Sequence, residues 1–113
     1  MQVAHLRYRD DFKIVAGNHE SQAGVMVIAP GKKEGGPKNH HRGADQWLYI
    51  ARGEGVVTID GQDQDLKPGT LVLIERGENH EIRNTGSEPL ETLNFYVPPA
   101  FKTDGDPLPA GER

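Results

Sequence analysis

The sequence predicts an all-β fold, and three features carry that prediction. Short runs rich in β-branched, aromatic and leucine residues recur along the chain, whereas no stretch of a dozen residues keeps a helical apolar stripe free of Gly and Pro. The 113 residues include 14 Gly and 8 Pro, which divide the chain into many short elements. The connections between the runs are short. Together these features favour a mainly antiparallel sandwich or barrel.

Each predicted strand is a short run bounded by turn residues. In chain order they are GVMVIAP (24–30), QWLYIAR (46–52), VVTID (56–60), QDQDL (62–66), TLVLI (70–74), HEIRN (80–84) and LETLNFYV (90–97). Asp60-Gly61 predicts a tight hairpin, because both central positions of such a turn need residues that tolerate positive φ. We expect strands at a sheet edge in segment 1–23, and a Pro/Gly-rich tail, 98–113, that is extended on the surface or frayed.

Length and composition indicate one domain over residues 1–113, with its core at about 24–97. The net charge is −4 and Lys and Arg are dispersed, so we expect no nucleic-acid partner. No apolar run approaches the roughly 20 residues that span a bilayer, and the N-terminus is too polar for a signal peptide. We therefore expect a soluble, cytoplasmic protein without a membrane partner. The absence of cysteine excludes disulfides and thiolate ligands.

Without cysteine, a transition-metal site must use imidazole, carboxylate and amide groups. Of the five histidines, His5 and His19 stand alone in polar contexts and are interpreted as surface residues. His40 and His41 cannot both face inward on an extended segment, since successive side chains alternate.

Residues two apart can share a face, which leaves two candidate pairs. Pairing His40 with Arg42 would set a guanidinium beside the ion. We prefer Asn39 with His41, and the choice between His40 and His41 stays open.

The second candidate region is GTLVLIERGENHEIRN, residues 69–84. A tight turn at 76–78 leads into a strand whose first residue is His80. His80, Ile82 and Asn84 would share one face. His80 is either an inward ligand or a residue at the hairpin rim, and local spacing does not choose between them. We interpret Asn84 as bonding local backbone near the strand end.

These two regions together resemble the cupin family. Its first motif has His-x-His, three or four residues, Glu, six residues and Gly, and here Asn39, His41, Gln46 and Gly53 keep that spacing. Its second motif is Gly, five residues, Pro-x-Gly, two residues, His, three residues and Asn. In this chain Gly69, Gly77, His80 and Asn84 match it, with Glu75 in place of proline. The resemblance covers about residues 36–84.

The resemblance implies a double-stranded β-helix, the jelly-roll barrel of small single-domain cupins, with a metal inside its mouth. The implied metal positions hold Asn39, His41, Gln46 and His80, where Asn and Gln replace the usual His and Glu. The ion would be divalent Fe, Ni, Zn, Cu or Mn. Gln46 carries no charge to neutralise it, so water, hydroxide or an anionic ligand would complete the balance.

The leading hypothesis is a metal-dependent enzyme that carries out dioxygenase-type oxidation of a small organic substrate. The alternatives are a non-catalytic binding or sensing cupin with a degenerate metal site and a sugar isomerase- or epimerase-like cupin. Because Gln46 cannot act as a base, proton transfer would need another group, and Tyr49, Glu75 and Glu78 are candidates by nearness in sequence. Trp47 should face away from Gln46, against the other sheet or a second subunit. By resemblance we expect a homodimer.

Overall fold

The computed structural model describes residues 1–36 and 43–104, and these residues form nine β-strands and no helix. Every strand pairing among them is antiparallel. The strands are β1 (Phe12–Gly17), β2 (Gln22–Ile28), β3 (Lys33–Gly36), β4 (Asp45–Arg52), β5 (Gly55–Ile59), β6 (Gln62–Leu66), β7 (Leu71–Ile74), β8 (His80–Asn84) and β9 (Leu90–Val97). This confirms the predicted all-β, antiparallel architecture.

The strands form two sheets that enclose the core. One has five strands in the order β1-β2-β9-β4-β7, and the other has four in the order β3-β8-β5-β6. Alternate residues of each strand point inward, and both sheets contribute to one apolar cluster. Its buried members are Met26, Ile28, Leu48, Ile50, Val57, Leu66, Ile82 and Leu90.

All seven predicted strands are present, and HEIRN and LETLNFYV have the predicted bounds. β1 confirms the expected N-terminal edge strand, because it lies at the outer edge of the five-stranded sheet. The sequence did not indicate β3. That strand contains two glycines in four residues, and it forms through antiparallel pairing with β8. The predicted extent of the domain, 1–113, stays a prediction.

Turn chemistry fixes the strand registers. The Asp60-Gly61 hairpin has φ values of 46° and 82°, as predicted, and it joins β5 to β6 in register from Ile59 and Gln62 onward. Gly53 has a φ of 89°, and a Cβ at that position would lie 2.5 Å from the carbonyl oxygen of Pro89. Glycine is therefore required where β4 turns into β5.

The start of the C-terminal tail is not a loose surface segment, which corrects the expectation for residues 98–101. Ala100 is fully buried and Phe101 packs on Phe12 and Tyr96 with ring centroids 4.8 and 4.9 Å away. The Gln22 side chain fixes this segment, because it donates to the carbonyl of Phe101 and accepts from the N–H groups of Ala100 and Phe101. Residues 105–113 lie outside the described residues.

Within the two described ranges, the chain has no helix of the length and apolarity needed to cross a membrane.

Candidate functional site

His80 faces the barrel interior. It is the first residue of β8, lies between Ile59 of β5 and Gly36 of β3, and is in phase with the core residue Ile82. Only 4% of it is exposed. The turn at residues 75–79 delivers the imidazole to this position, and the alternation of β8 then directs it inward. Of the two interpretations that the sequence left open, the structure therefore supports the inward one; metal ligation stays a prediction.

Gln46 also faces the interior, from the opposite sheet. It lies on β4 between Ile74 of β7 and Tyr96 of β9, and it is 3% exposed. Its Oε1 atom is fully buried and has no hydrogen-bond partner among the described residues. A buried amide oxygen without a donor costs roughly 1–3 kcal/mol. This atom is therefore suited to a ligand.

The remaining predicted ligands, Asn39 and His41, lie outside the described residues, as do His40 and Arg42. Which histidine of the pair faces the barrel accordingly stays open. In the part of the chain that is described, no cluster of three or more His, Cys, Asp or Glu side chains could hold a metal ion.

The inner face of β9 carries a buried polar row that the sequence analysis missed. The Thr92 hydroxyl donates to Asn94 Oδ1 at 3.0 Å, and the Asn94 amide donates to the Tyr96 hydroxyl at 3.2 Å. All three are at most 3% exposed. Burial raises the pKa of Tyr96, and the negative charge of Glu34 raises it further, against the opposing effect of the bond from Asn94. Tyr96 therefore stays a neutral phenol. The sequence did contain an indication of this row, namely polar residues spaced two apart on a predicted strand.

Glu34 is the second residue that sequence reasoning missed. It pairs with Ile82, so its side chain leaves the sheet on the inner face, although its position on the edge strand β3 leaves it exposed. The negative charge of Glu34 contributes to the raised pKa of Tyr96. Partial desolvation raises the pKa of Glu34, and the nearby Asp11 adds to the rise. Glu34 is thus a carboxyl group at the barrel wall that is easier to protonate than a free glutamate.

The side chain of Asn84, the last residue of the second motif, hydrogen-bonds backbone groups of neighbouring segments. Its amide donates to the carbonyls of Ile28 and Glu88 at 2.8 and 2.7 Å, and its Oδ1 accepts from the N–H of Gly86 at 2.9 Å. These bonds confirm the expected backbone contacts and add a long-range one to β2.

An ion pair connects β4, which carries Gln46, to the turn that precedes His80. Asp45, next to Gln46, accepts from the backbone N–H and from two side-chain nitrogens of Arg76, at 2.9, 3.2 and 3.3 Å. Arg76 belongs to the turn that precedes His80. The side-chain bond from Arg76 is the main reason that the pKa of Asp45 is lowered.

The proposed proton-transfer residues do not lie at the interior. Tyr49 alternates with Gln46 and projects from the outer face, 38% exposed, which rules it out. Glu78 accepts from the N–H of Glu75 at 2.7 Å and stabilises the turn. Glu75 is exposed. Of the described carboxylates, Glu34 is the better candidate.

A cleft of about 450 Å³ lies along the outer face of the four-stranded sheet, where the outward residue Thr58 lines it together with His80 at the start of β8. Its lining includes Asp63, Glu81 and Arg83. Arg83 pairs with both carboxylates, at 3.9 and 3.4 Å. Because the cleft is outside the barrel, we place the candidate site in the interior, where Gln46 and His80 are buried.

The fold and the interior residues define a class: a small antiparallel β-barrel in which both sheets direct buried polar side chains into the interior. The chain belongs to the cupin family, since the cupin domain profile matches residues 24–96. The motif-based resemblance is thereby confirmed.

Known proteins agree with this assignment. The chain is 40% identical over 72 residues to an oxalate-binding protein of Thermotoga maritima, which covers 64% of this chain and 58% of that protein. Among solved structures, BH2720 from Bacillus halodurans superposes with a TM-score of 0.79 at 25% identity, over 85% of this chain and 76% of its own. A predicted oxalate decarboxylase from Thermotoga maritima gives a TM-score of 0.70 at 29% identity, over 78% and 79%.

Proposed function

We propose that this cupin binds a divalent transition metal inside its barrel and that the ion receives a small anionic organic ligand. His80 and Gln46 would hold the ion together with His41 and Asn39. The observation that carries the proposal is the buried Oε1 of Gln46, which has no donor among the described residues and faces the same interior as His80.

The residue types fit such an ion. Imidazole nitrogens suit Fe, Ni, Zn and Cu, and amide oxygens are acceptable additional donors. When bound, the ion would supply a fixed positive charge that attracts and orients an anion. All four proposed ligands are neutral, so none of them would compensate that charge. An anionic ligand therefore fits this site better than a neutral one.

The ligand class is inferred from charge and from the similarity to one relative. One relative is an oxalate-binding protein, and a small dicarboxylate carries the charge that the neutral ligand set lacks. That relative is longer than the matched segment, which covers 58% of it. We therefore propose a small carboxylate such as oxalate as the ligand class.

The chain's own residues would orient such a ligand. The hydrogen-bonded row from Thr92 to Tyr96 fixes the neutral phenol in the interior, beside Gln46 on the neighbouring strand β4. Glu34, with its raised pKa, can hold or release a proton at the barrel wall. Proton transfer by Glu34 would not depend on Gln46, whose amide cannot act as a base.

Catalysis is a second candidate. Two imidazoles with two weak neighbours would leave open positions at the ion, which dioxygenase-type oxidation needs. The raised pKa of Glu34 favours this candidate over pure binding, because it provides a proton-transfer group. The isomerase- or epimerase-like reaction rests on fold analogy. Cytoplasmic location, the homodimer, and the lack of nucleic-acid and membrane partners also stay predictions.

Elemental analysis of protein prepared without a histidine tag tests the metal site. We expect about one ion per chain after incubation with Fe, Ni, Cu, Zn or Mn and desalting. His80→Ala and His41→Ala should each lose it, because one imidazole of the pair is removed. Titration calorimetry with oxalate should then show binding to the loaded wild type and at least tenfold weaker binding to either variant.

His19→Ala is the matched control, since His19 is a surface histidine whose side chain is 89% exposed. It should retain both metal and oxalate. Circular dichroism must show that all variants are folded. Full metal retention in both His80→Ala and His41→Ala would overturn the proposed site, while metal uptake without oxalate binding would overturn only the ligand class.

A further inference from the structure

The hairpin turn between β5 and β6 is hydrogen-bonded to the residue that precedes His80. The N–H of Asp60 donates to the carbonyl of Asn79 at 2.9 Å, and the N–H of Asn79 donates to Asp60 Oδ1 at 2.9 Å. Ile59 and His80 are paired where β5 ends and β8 begins. The two bonds therefore continue the pairing of these strands by one further pair of residues.

One of the two bonds uses a side chain in place of the backbone. In a regular antiparallel ladder, both residues of a hydrogen-bonded pair donate to each other's backbone carbonyl. Here the N–H of Asn79 donates to the carboxylate of Asp60 instead, at the point where the chain reverses with φ values of 46° and 82° at Asp60 and Gly61. The Asp60 side chain thus extends the pairing into the turn.

The turn by itself does not need this carboxylate. Asp60 has the one positive φ of a residue other than glycine in the described ranges. Glycine adopts this conformation without a steric cost, and Asp and Asn adopt it more readily than other side chains do. What Asp60 offers beyond glycine is therefore the Oδ1 acceptor, which binds the N–H of Asn79.

The bonds at Asn79 act on the peptide group that leads into His80. The carbonyl of Asn79 and the N–H of His80 belong to one planar unit, so a bond to that carbonyl also restrains the plane of the peptide. His80 is 4% exposed and faces the interior from the first position of β8. Because local opening begins at frayed ends, these bonds restrain His80 where the strand is least restrained by its ladder.

We propose that Asp60 is a positioning residue for His80, since its backbone and side chain hold the peptide group that precedes the inward imidazole. The inference rests on the proposed function for its consequence, because His80 would be a ligand of the metal there. Groups that hold a metal ligand in place contribute about 10- to 100-fold to metal affinity. Asp60 is itself exposed, so its contribution would pass through His80.

Substitutions at Asp60 separate positioning from turn formation and from charge. Asp60→Gly suits the positive φ but removes the acceptor, so it should fold with a nearly unchanged melting temperature and bind Zn²⁺ about tenfold more weakly. Asp60→Asn keeps the acceptor and should restore Zn²⁺ affinity to within about twofold of wild type. Asn18→Gly is the matched control, because Asn18 Oδ1 accepts from Glu20 and Ser21 in a turn of the other sheet. It should leave Zn²⁺ affinity unchanged.

Hydrogen exchange in the metal-free protein tests the bond without any ion. The N–H of Asn79 should exchange about tenfold faster in Asp60→Gly than in wild type, because its acceptor is removed, and Asp60→Asn should restore slow exchange. The ¹H–¹³C NMR signal of the His80 imidazole should shift or broaden in Asp60→Gly and should stay at its wild-type position in Asp60→Asn and Asn18→Gly.

The outcomes distinguish this inference from the proposed function. Wild-type protein that takes up no Zn²⁺ would overturn the proposed function, and the exchange and NMR measurements would still decide the role of Asp60. An unchanged His80 signal in Asp60→Gly, or unchanged Zn²⁺ affinity in that variant, would overturn the inference. Equally weak Zn²⁺ binding by Asp60→Asn and Asp60→Gly would also overturn it, because the charge of Asp60 rather than its bond to Asn79 would then be responsible.

Discussion

Gln46 shows how a single amide changes the chemistry of a barrel interior. It has the buried, inward position between β7 and β9, and its oxygen has no donor among the described residues. A carboxylate there would neutralise half of a divalent charge, whereas an amide only directs a dipole toward it. At the proposed metal site, Gln46 would therefore weaken cation binding and leave positive charge available for an anionic ligand.

Gln46→Glu should therefore tighten metal binding at least tenfold and weaken oxalate binding to the loaded protein. Calorimetric titration of Zn²⁺ and then oxalate measures both effects. Gln64→Glu, which adds the same charge at an exposed position on β6, should change neither affinity appreciably. Unchanged or weaker metal affinity in Gln46→Glu would show that the amide oxygen does not point at the ion.

At the residue scale, alternation along a strand was enough to place some side chains. It predicted that Gln46 and Trp47 lie on opposite faces of one short strand and that His80 is in phase with Ile82. It could not find Glu34 or the polar row of Thr92, Asn94 and Tyr96 as parts of one interior. Their proximity depends on which strands become neighbours, and that register is set by long-range pairing.

At the scale of elements, the predicted strands were those with strong turn signals or β-branched and aromatic residues. β3 was not predicted, because KEGG has neither an apolar alternation nor β-branched residues. Its pairing with β8 depends on backbone groups, which every sequence supplies. Likewise, three hydrogen bonds between the Gln22 side chain and the backbone of Ala100 and Phe101 hold the segment that buries Ala100. Gln22 is more than seventy residues away in the chain.

The Asp45–Arg76 pair gives β4 and the β7–β8 turn a pH-dependent connection. The folded-state pKa of Asp45 is lowered, so the pair stabilises the fold above the unfolded-state value of about 4 and loses that effect as pH falls through the lowered pKa. Asp45→Asn should therefore lower the melting temperature by a few degrees at most at pH 7, since the pair is partly exposed.

At pH 3, below the unfolded-state pKa of about 4, the same substitution should have a smaller effect than at pH 7. Calorimetric melting at both pH values measures the difference, with Asp65→Asn on the exposed face of β6 as the control. A destabilisation by Asp45→Asn that is equally large at both pH values would contradict an electrostatic role for the pair.

At the scale of the whole molecule, the two sheets have similar inner faces and different outer faces. Their inner faces share one apolar cluster and present His80 and Gln46 to the same interior, while their outer faces differ in polarity. The sequence predicted the barrel and its cupin motifs because hairpin turns and motif spacing are local. It did not predict the apolar outer face around Trp47, Leu73 and Phe95, because three strands distant in sequence create it only when they are adjacent in the sheet.

The central claim is that His41 and His80 meet across the barrel at one ion beside Gln46. A crystal structure of untagged protein, with anomalous data collected at the absorption edge of the metal supplied, tests it most directly. We expect one strong anomalous peak in the interior, within about 2.0–2.2 Å of a nitrogen of each imidazole. Imidazoles that point outward, or a peak that contacts neither of them, would contradict the claim.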